Sequence, residues 1–346
     1  MEMVKQHLQR VPAFVMSVGG QASRAAEALK ALDYGLLWLL CFGIGGWVVL
    51  NFVLGTLEEL YNRTLRPGKN LKQFGKWAVV TGATDGIGEA MAMELAKKGL
   101  NIYLMSRTQS KLDATQAAIE AKYPKVQVKN MAVDFSRFGE DEDLMDKVRA
   151  AVETVDVGVL INNVGMSYDF CKYFHELRDD QVRDLTNLNV QSTTWMTRYV
   201  LPGMNTRKGG YIVNISSAAG VTTAPLLAQY GAVKSYIAMF SKALNAENKH
   251  VHVQCQVPLF VTTKLAKLRH TSLTVPSPAG YAKYAVAAIG YETVVSPYLT
   301  HSPYLWLLCN LPESLASTIT GAMHQGIRTA GMKKEAKKAA ESSKSK

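Results

Sequence analysis

Residues 81–88 read Thr-Gly-Ala-Thr-Asp-Gly-Ile-Gly, a TGxxxGIG pattern that directly follows the apolar run 77–81. Its three glycines would permit a tight turn, close approach of the backbone to a pyrophosphate, and close packing of the next helix on the strand. That helix would point its free N–H groups and the positive end of its dipole at the phosphate. A glycine-rich turn between a strand and a helix therefore predicts a dinucleotide site. The residues expected to line it are Gly82, Thr84, Gly86, Ile87 and Gly88.

Short apolar runs alternate with helical patterns on both sides of this turn. The predicted strands cover 77–81, 101–106, 126–133, 157–162, 210–216 and 251–257. The predicted helices cover 87–98, 111–123, 141–154, 179–206 and 225–249. Alternation of this kind indicates the α/β class and a Rossmann-type, doubly wound parallel sheet, here over residues 75–296. Ligands of such sheets bind at the carboxyl ends of the strands.

The residues after the second to fourth strands suggest which dinucleotide binds. An acidic residue after the second strand would hold the ribose 2′-hydroxyl of NAD, whereas this strand ends in Ser106-Arg107-Thr108. The Arg107 guanidinium can pair with the 2′-phosphate of NADP, so NADPH is the expected cofactor. Asp134, after the third strand, is placed to reach the adenine side. The fourth strand ends in Asn162-Asn163-Val164-Gly165, whose small and amide residues, Asn162 first among them, can line the cofactor.

A tyrosine and a lysine, Tyr230 and Lys234, are spaced four residues apart and so share one helical face. Free tyrosine has a pKa of about 10, which is too high for acid–base work near neutrality. A neighbouring ammonium is expected to lower the pKa of Tyr230. Ser217, just after the fifth strand, could hydrogen bond to a substrate carbonyl and hold it against Tyr230.

Together with residues 81–88, this set resembles the short-chain dehydrogenase/reductase family over roughly residues 76–296. The resemblance implies hydride transfer from the nicotinamide to a carbonyl, with Tyr230 donating the proton and Lys234 also binding the ribose. It matches the family's catalytic asparagine to Asn189, which would shape a helix kink and hold a water for proton relay. It also implies that Val261, after the sixth strand, contacts the cofactor.

The segments 104–108, 201–204 and 257–265 look like those of the microsomal branch of this family. That branch reduces very-long-chain 3-oxoacyl-CoA to 3-hydroxyacyl-CoA in fatty-acid elongation. The likeness implies long-chain 3-oxoacyl-CoA as substrate, the endoplasmic reticulum membrane as location, and other elongation enzymes as partners. Two alternatives stay open from the residues, a membrane hydroxysteroid dehydrogenase and a non-catalytic membrane scaffold, although the complete Ser-Tyr-Lys set argues against the scaffold.

Residues 34–57 contain no charged side chain and are long enough to cross a bilayer as a helix. An N-terminal segment, 1–33, precedes them. Near the apolar run, this segment carries fewer basic residues than the sequence that follows the run. The flanking basic residues are Arg24 and Lys30 before the run, and Arg63, Arg66, Lys69, Lys72 and Lys76 after it. The excess on the C-terminal side predicts a catalytic domain that faces the cytosol.

The C-terminal end is divided into a segment 297–330, expected to associate with the membrane or cover the substrate, and a basic, disordered tail 331–346. Prolines break the apolar stretch 293–312, so a continuous spanning helix is not expected there.

The net charge is +11 and is partly concentrated in the tail. The basic residues form no stripe interleaved with aromatic residues, which argues against nucleic-acid binding. The four cysteines form no CxxC pair and the histidines no ligand spacing, so no metal site is predicted.

Overall fold

The N-terminal unit of the computed structural model is one helix, α1 (Glu2–Thr64). The structure describes residues 2–268 and 270–344. Within α1, the stretch Asp33–Thr64 is long and apolar enough to cross a membrane. Its large apolar side chains, Trp38 and Phe42 among them, are exposed rather than packed against protein. The predicted apolar helix at 34–57 is therefore confirmed as a candidate membrane span.

The second unit, Arg66–Lys346, is built on a seven-stranded sheet in which every pairing is parallel. The strands are β1 (Trp77–Thr81), β2 (Asn101–Ser106), β3 (Val128–Ala132), β4 (Val157–Asn162), β5 (Gly210–Ile215), β6 (Val251–Gln256) and β7 (Val294–Val295). Their order is β3-β2-β1-β4-β5-β6-β7. The predicted doubly wound parallel sheet is confirmed, and its direction of winding reverses between β1 and β4.

Strand β1 is buried on both faces, as its uninterrupted apolar sequence requires. Side chains alternate between the faces. Ala78 and Val80 belong to one hydrophobic core, whereas Trp77 and Val79 belong to the other. The sheet is therefore covered on both sides, which leaves the ends of its strands as the place for a ligand.

Helices fill both layers and the C-terminal end of this unit. They are α2 (Gly86–Lys97), α3 (Gln109–Lys122), α4 (Glu142–Glu153), α5 (Asp179–Thr186), α6 (Ser192–Thr206), α7 (Ala228–Glu247), α8 (Pro278–Ala287), α9 (His301–Asn310) and α10 (Glu313–Lys344). Side-chain caps begin two of them: Leu144 N donates to Asp141 and Gly280 N donates to Ser277. Helices α2, α3 and α8 pack on one face of the sheet, and α4 and α6 on the other.

The helix predicted over 179–206 is interrupted. A π-helical turn, Asn187–Gln191, separates α5 from α6. The amide Nδ2 of Asn189 donates to the carbonyl of Leu185 (2.9 Å) and to that of Met166 (3.1 Å). A side chain inserted into the hydrogen-bond ladder is a recognised cause of such a kink, so the sequence places the kink at Asn189 itself.

The C-terminal end differs from the sequence-based expectation for the basic tail. Residues 331–344, expected to be disordered, form the last part of α10. The apolar stretch before it is divided, as its prolines predict, because α9 ends before Pro312 and α10 begins after it. Charged residues dominate the end of α10, so its helicity does not depend on burial of an apolar face there.

Candidate active site

The candidate site lies where the carboxyl ends of the central strands meet. Strands β1 and β4 are neighbours in the sheet, but the chain leads from β1 towards β2 on one side and from β4 towards β5 on the other. The segments that follow the two strands therefore diverge and leave a crevice between them. The glycine-rich turn follows β1, Asn162 ends β4, and Ser217 follows β5 by two residues. The predicted site residues from different parts of the chain are thus brought to one edge of the sheet.

The glycine-rich turn has a backbone that only glycine adopts without strain at two positions, since φ is +64° at Gly82 and +58° at Gly86. A Cβ on Gly88 would overlap the carbonyl oxygen of Gly82, so the start of α2 packs directly on the turn. Asp85 precedes α2 but its side chain does not cap the helix. The first N–H groups of α2 are therefore left for a ligand, as phosphate binding requires.

The predicted contacts with the adenosine half of the cofactor are placed as follows. Thr84 Oγ1 lies 2.9 Å from Ser106 Oγ, which ties the glycine-rich turn to the end of β2. Arg107 follows directly and is exposed; within residues 2–268 and 270–344 no hydrogen bond or ion pair is made by its side chain. Asp134, after β3, accepts hydrogen bonds from N and Oγ of Ser136 and so shapes its own turn.

Asn162 is placed differently from the expectation that its side chain lines the cofactor. Its side chain is buried, and Nδ2 donates to Thr197 Oγ1 (3.0 Å) and to Asn214 Oδ1 (2.8 Å). It therefore joins β4 to β5 and α6 beneath the crevice, while its Oδ1 atom is buried and accepts no hydrogen bond from the described residues. Val261, in the loop after β6, is buried as well.

The neighbour Asn163, which belongs to the stretch expected to line the cofactor, contacts the glycine-rich turn directly. Its Nδ2 donates to the carbonyls of Thr81 and Gly82, both at 3.1 Å. Thr81 Oγ1 in turn accepts from the backbone N of Asn163 and of Val164. The only sequence signal was the Asn-Asn doublet at the end of a strand, and its side-chain role depends on the pairing of β1 with β4.

Another contact, which the sequence did not indicate, lies on the other side of the glycine-rich turn. Lys264 Nζ lies 2.7 Å from an Asp85 carboxylate oxygen. The adjacent Thr263 side chain lies 3.1 Å from where a Cβ on Gly86 would be. The loop after β6 therefore lies over the glycine-rich turn, and a Cβ at position 86 would press against the Thr263 side chain.

The hydroxyl of Ser217 lies close to that of Tyr230. Burial raises the pKa of the Tyr230 phenol, and the nearby Ser217 hydroxyl opposes this rise only in part. The sequence-based expectation was a pKa lowered by Lys234. That expectation was wrong, because burial of the phenol outweighs the interactions that stabilise its anion.

Lys234 is almost fully buried, with 4% of its surface exposed. Its Nζ donates to the carbonyl of Ile215 (3.0 Å) and lies 5.9 Å from the centre of the Tyr230 ring. Burial lowers the pKa of this ammonium to about 8, so its charged form still predominates at neutral pH. The predicted face shared by Tyr230 and Lys234 is present on α7.

Gly165 keeps open the space between Lys234 and Asn189. A Cβ at this glycine would lie 2.7 Å from Asn189 Oδ1 and 3.2 Å from Lys234 Nζ. The Oδ1 atom of Asn189 is buried and accepts no hydrogen bond from the described residues. Two buried polar groups, the ammonium of Lys234 and the amide oxygen of Asn189, therefore lie next to Gly165, where a side chain would fill the space between them.

These features fit a dinucleotide. The glycine-rich turn offers backbone N–H groups to a pyrophosphate, the end of β2 offers a free guanidinium, and a buried ammonium lies beyond the crevice beside Tyr230. Three or more His, Cys, Asp or Glu side chains do not gather into a metal-binding group anywhere in residues 2–268 and 270–344.

Comparison with known proteins agrees with this arrangement. The sequence pattern of the family described as short chain dehydrogenase matches residues 76–273. A very-long-chain 3-oxoacyl-CoA reductase of Anas platyrhynchos is 41% identical over 314 residues, which are 88% of this chain and 98% of that protein. Another, very-long-chain 3-oxoacyl-CoA reductase-B of Danio rerio, is 38% identical over 309 residues, or 88% and 93% of the two chains.

Solved structures show the same fold. A short-chain dehydrogenase from Sphingobium yanoikuyae in complex with NADPH is 25% identical, with a TM-score of 0.58 over 71% of this chain and 94% of that one. A 7beta-hydroxysteroid dehydrogenase has a TM-score of 0.65 over 73% of this chain and 100% of its own, at 22% identity. The chain therefore belongs to the short-chain dehydrogenase/reductase family of oxidoreductases.

Proposed function

We propose that this protein reduces very-long-chain 3-oxoacyl-CoA to 3-hydroxyacyl-CoA with NADPH. Carbonyl reduction rests on one observation above all: the neighbouring hydroxyls of Ser217 and Tyr230 lie beside the buried ammonium of Lys234. The choice of acyl-CoA rests on the names of relatives that share about 40% of their residues with most of this chain. These two lines of support are independent of each other.

The catalytic roles follow from the chemistry of these side chains. Ser217 and Tyr230 would both donate hydrogen bonds to the 3-oxo oxygen and so orient the carbonyl. Reduction needs Tyr230 as an acid, and the raised pKa keeps the phenol protonated at neutral pH. Bound NADPH would supply the hydride to C3.

Lys234 and Asn189 would then restore the proton to Tyr230. The Lys234 ammonium, 5.9 Å from the centre of the Tyr230 ring, would stabilise the phenolate that remains after proton donation, and it would also hold the nicotinamide ribose. The buried Oδ1 of Asn189 can accept a hydrogen bond from a water in the relay. These roles explain why polar groups are retained in a buried position, where they would otherwise destabilise the fold.

The preference for NADPH rests on Arg107. Its exposed guanidinium follows β2 directly, beside the Thr84–Ser106 contact with the glycine-rich turn. No acidic residue occupies that strand end to receive a ribose 2′-hydroxyl. Backbone N–H groups at the start of α2 would bind the pyrophosphate, and Asp134 and the backbone of Asn162 would border the adenosine.

We further propose that α1 crosses the endoplasmic reticulum membrane with the reductase domain in the cytosol. The support is the exposed apolar surface of Asp33–Thr64 and the excess of basic residues after it. A cytosolic domain would meet acyl-CoA and NADPH, and other elongation enzymes in the same membrane. Protease added to sealed microsomes should digest the reductase domain without detergent; protection that is lost only after detergent would reverse the orientation.

The substrate assignment is tested with a panel of carbonyl compounds on purified microsomes that contain the protein. The panel holds 3-oxoacyl-CoA thioesters of several chain lengths and keto-steroids, each with NADPH and with NADH. We expect turnover of the long 3-oxoacyl-CoA thioesters with NADPH. Turnover of keto-steroids alone would contradict the acyl-CoA assignment and retain the carbonyl chemistry.

A further inference from the structure

One face of α10 carries three polar side chains, Thr320, His324 and Arg328, at intervals of four residues. Residues four apart lie above one another on a helix, so the three form a single line. Thr320 and His324 are buried, and the Arg328 side chain is only 11% exposed. All three contact parts of the chain outside α10, and all three lie beyond the region that the family pattern matches.

The first two residues hold the segment 217–227, which we call the pre-α7 loop because it connects Ser217 to the helix of Tyr230. Thr320 Oγ1 lies 2.9 Å from the carbonyl oxygen of Thr223, and also within 3.2 Å of two carbonyl oxygens of its own helix. His324 Nδ1 lies 2.7 Å from the carbonyl oxygen of Pro225. In the same loop Leu226 has φ of +67°, a conformation that a branched side chain keeps only where surrounding contacts enforce it.

Arg328 holds the segment 163–178, which we call the post-β4 loop. Its two terminal nitrogens each contact one carboxylate oxygen of Glu176 at 2.6 Å, a bidentate pair. The guanidinium also lies 4.9 Å from the centre of the Tyr173 ring. The hydrogen bonds from Arg328 lower the pKa of Glu176 to about 2, so the pair is charged at neutral pH.

The two loops are also bonded to each other next to Tyr230. Lys172 N donates to the carbonyl of Leu226 at 2.9 Å. Gln229 N, one residue before Tyr230, donates to the hydroxyl of Tyr168 at 3.0 Å. Each of three elements near the start of α7 therefore contacts the other two: helix α10, the pre-α7 loop and the post-β4 loop. The post-β4 loop also contains Gly165, which borders Lys234 and Asn189.

We propose that α10 is a brace for the substrate side of the site, with Thr320, His324 and Arg328 as positioning residues. By fixing the separation of the two loops, the brace holds the substrate carbonyl against Ser217 and Tyr230. The inference rests on the proposed carbonyl reduction, since it assigns the space between these loops to the substrate. The proposal predicts that loss of these contacts raises KM for the substrate. It also predicts that cofactor affinity, which depends on the part of the site at β1 and β2, does not change.

The test is a charge swap in the full-length protein. Arg328→Glu places two carboxylates together, and we expect KM for a long 3-oxoacyl-CoA to rise about tenfold or more, with NADPH affinity within about twofold of the wild type. The double variant Arg328→Glu/Glu176→Arg restores a pair of opposite charges and should bring KM back to within about threefold. Arg149→Glu and its swap with Glu153, an exposed pair on α4, form the matched control and should leave KM unchanged.

Two results would overturn the brace: an unchanged KM in Arg328→Glu, or equal losses of NADPH and substrate affinity that the swap does not rescue. If Arg328→Glu does not fold, Arg328→Lys keeps the charge but loses the bidentate geometry, and an unchanged KM there refutes the proposal equally. Hydrogen exchange gives a readout that needs no substrate. Exchange over 168–176 and 222–229 should accelerate in Arg328→Glu and recover in the swap, even if the wild type reduces some other carbonyl and the proposed function fails.

Discussion

We expect the Tyr230→Phe variant to lose at least about a hundredfold in kcat for 3-oxoacyl-CoA reduction, because general acid catalysis contributes about 10²–10⁴-fold. The change removes a single hydroxyl and retains the ring, so packing at the start of α7 is preserved. Binding of NADPH should stay within about twofold, since Lys234 and the glycine-rich turn are untouched. The loss should therefore fall on the chemical step.

The experiment compares kcat from steady-state assays with NADPH affinity from the quenching of protein fluorescence. Tyr236→Phe is the matched control. Tyr236 lies on the same helix, is 38% exposed, and its hydroxyl lies 2.9 Å from Thr194 Oγ1, away from Ser217. We expect that control to keep the wild-type kcat. Retention of most activity by Tyr230→Phe would exclude Tyr230 as the acid.

The strands were predictable because a parallel sheet covered on both faces needs continuous apolar runs. The bounds of β1, β2 and β4 agree with those predicted from the sequence. Strand β7 was missed because a two-residue strand, Val294–Val295, has no detectable pattern and exists only through pairing with β6. The kink at Asn187–Gln191 was expected at Asn189 only from the family resemblance. Periodicity does not reveal it, because the pattern of α5 and α6 runs through it and its cause includes a contact with the distant Met166.

The site was predictable as far as spacing along the chain determines it. A spacing of four residues puts Tyr230 and Lys234 on one helical face and so brings them together. The parallel strands bring Ser217 to the same edge of the sheet. The direction of the pKa shift of Tyr230 was not predictable, because it depends on burial by parts of the chain that spacing does not reveal. The contact of Arg328 with Glu176 spans 152 positions, and neither residue carries a local signal of it.

Replacement of Arg107 by aspartate should reverse the cofactor preference at the end of β2. One charge-assisted hydrogen bond is worth about 1.5–3 kcal/mol, which corresponds to roughly 10- to 150-fold in affinity. On the proposed assignment, Arg107→Asp removes such a bond to the 2′-phosphate and adds a like charge in its place. An aspartate there can instead accept a hydrogen bond from the ribose 2′-hydroxyl of NADH, so NADH binding should be retained or improved. The ratio of NADPH to NADH affinity should fall by at least that factor.

The ratio is measured by titration of each cofactor into the purified variant and the wild type, at one fixed salt concentration because exposed charges are screened. Lys147→Asp makes the same reversal of charge at an exposed position in the middle of α4 and should leave the ratio unchanged. Since both variants alter the net charge equally, a fall confined to Arg107→Asp reports a local contact rather than long-range attraction of the more negative cofactor. An equal fall in both variants, or none in either, would show that Arg107 does not bind the 2′-phosphate.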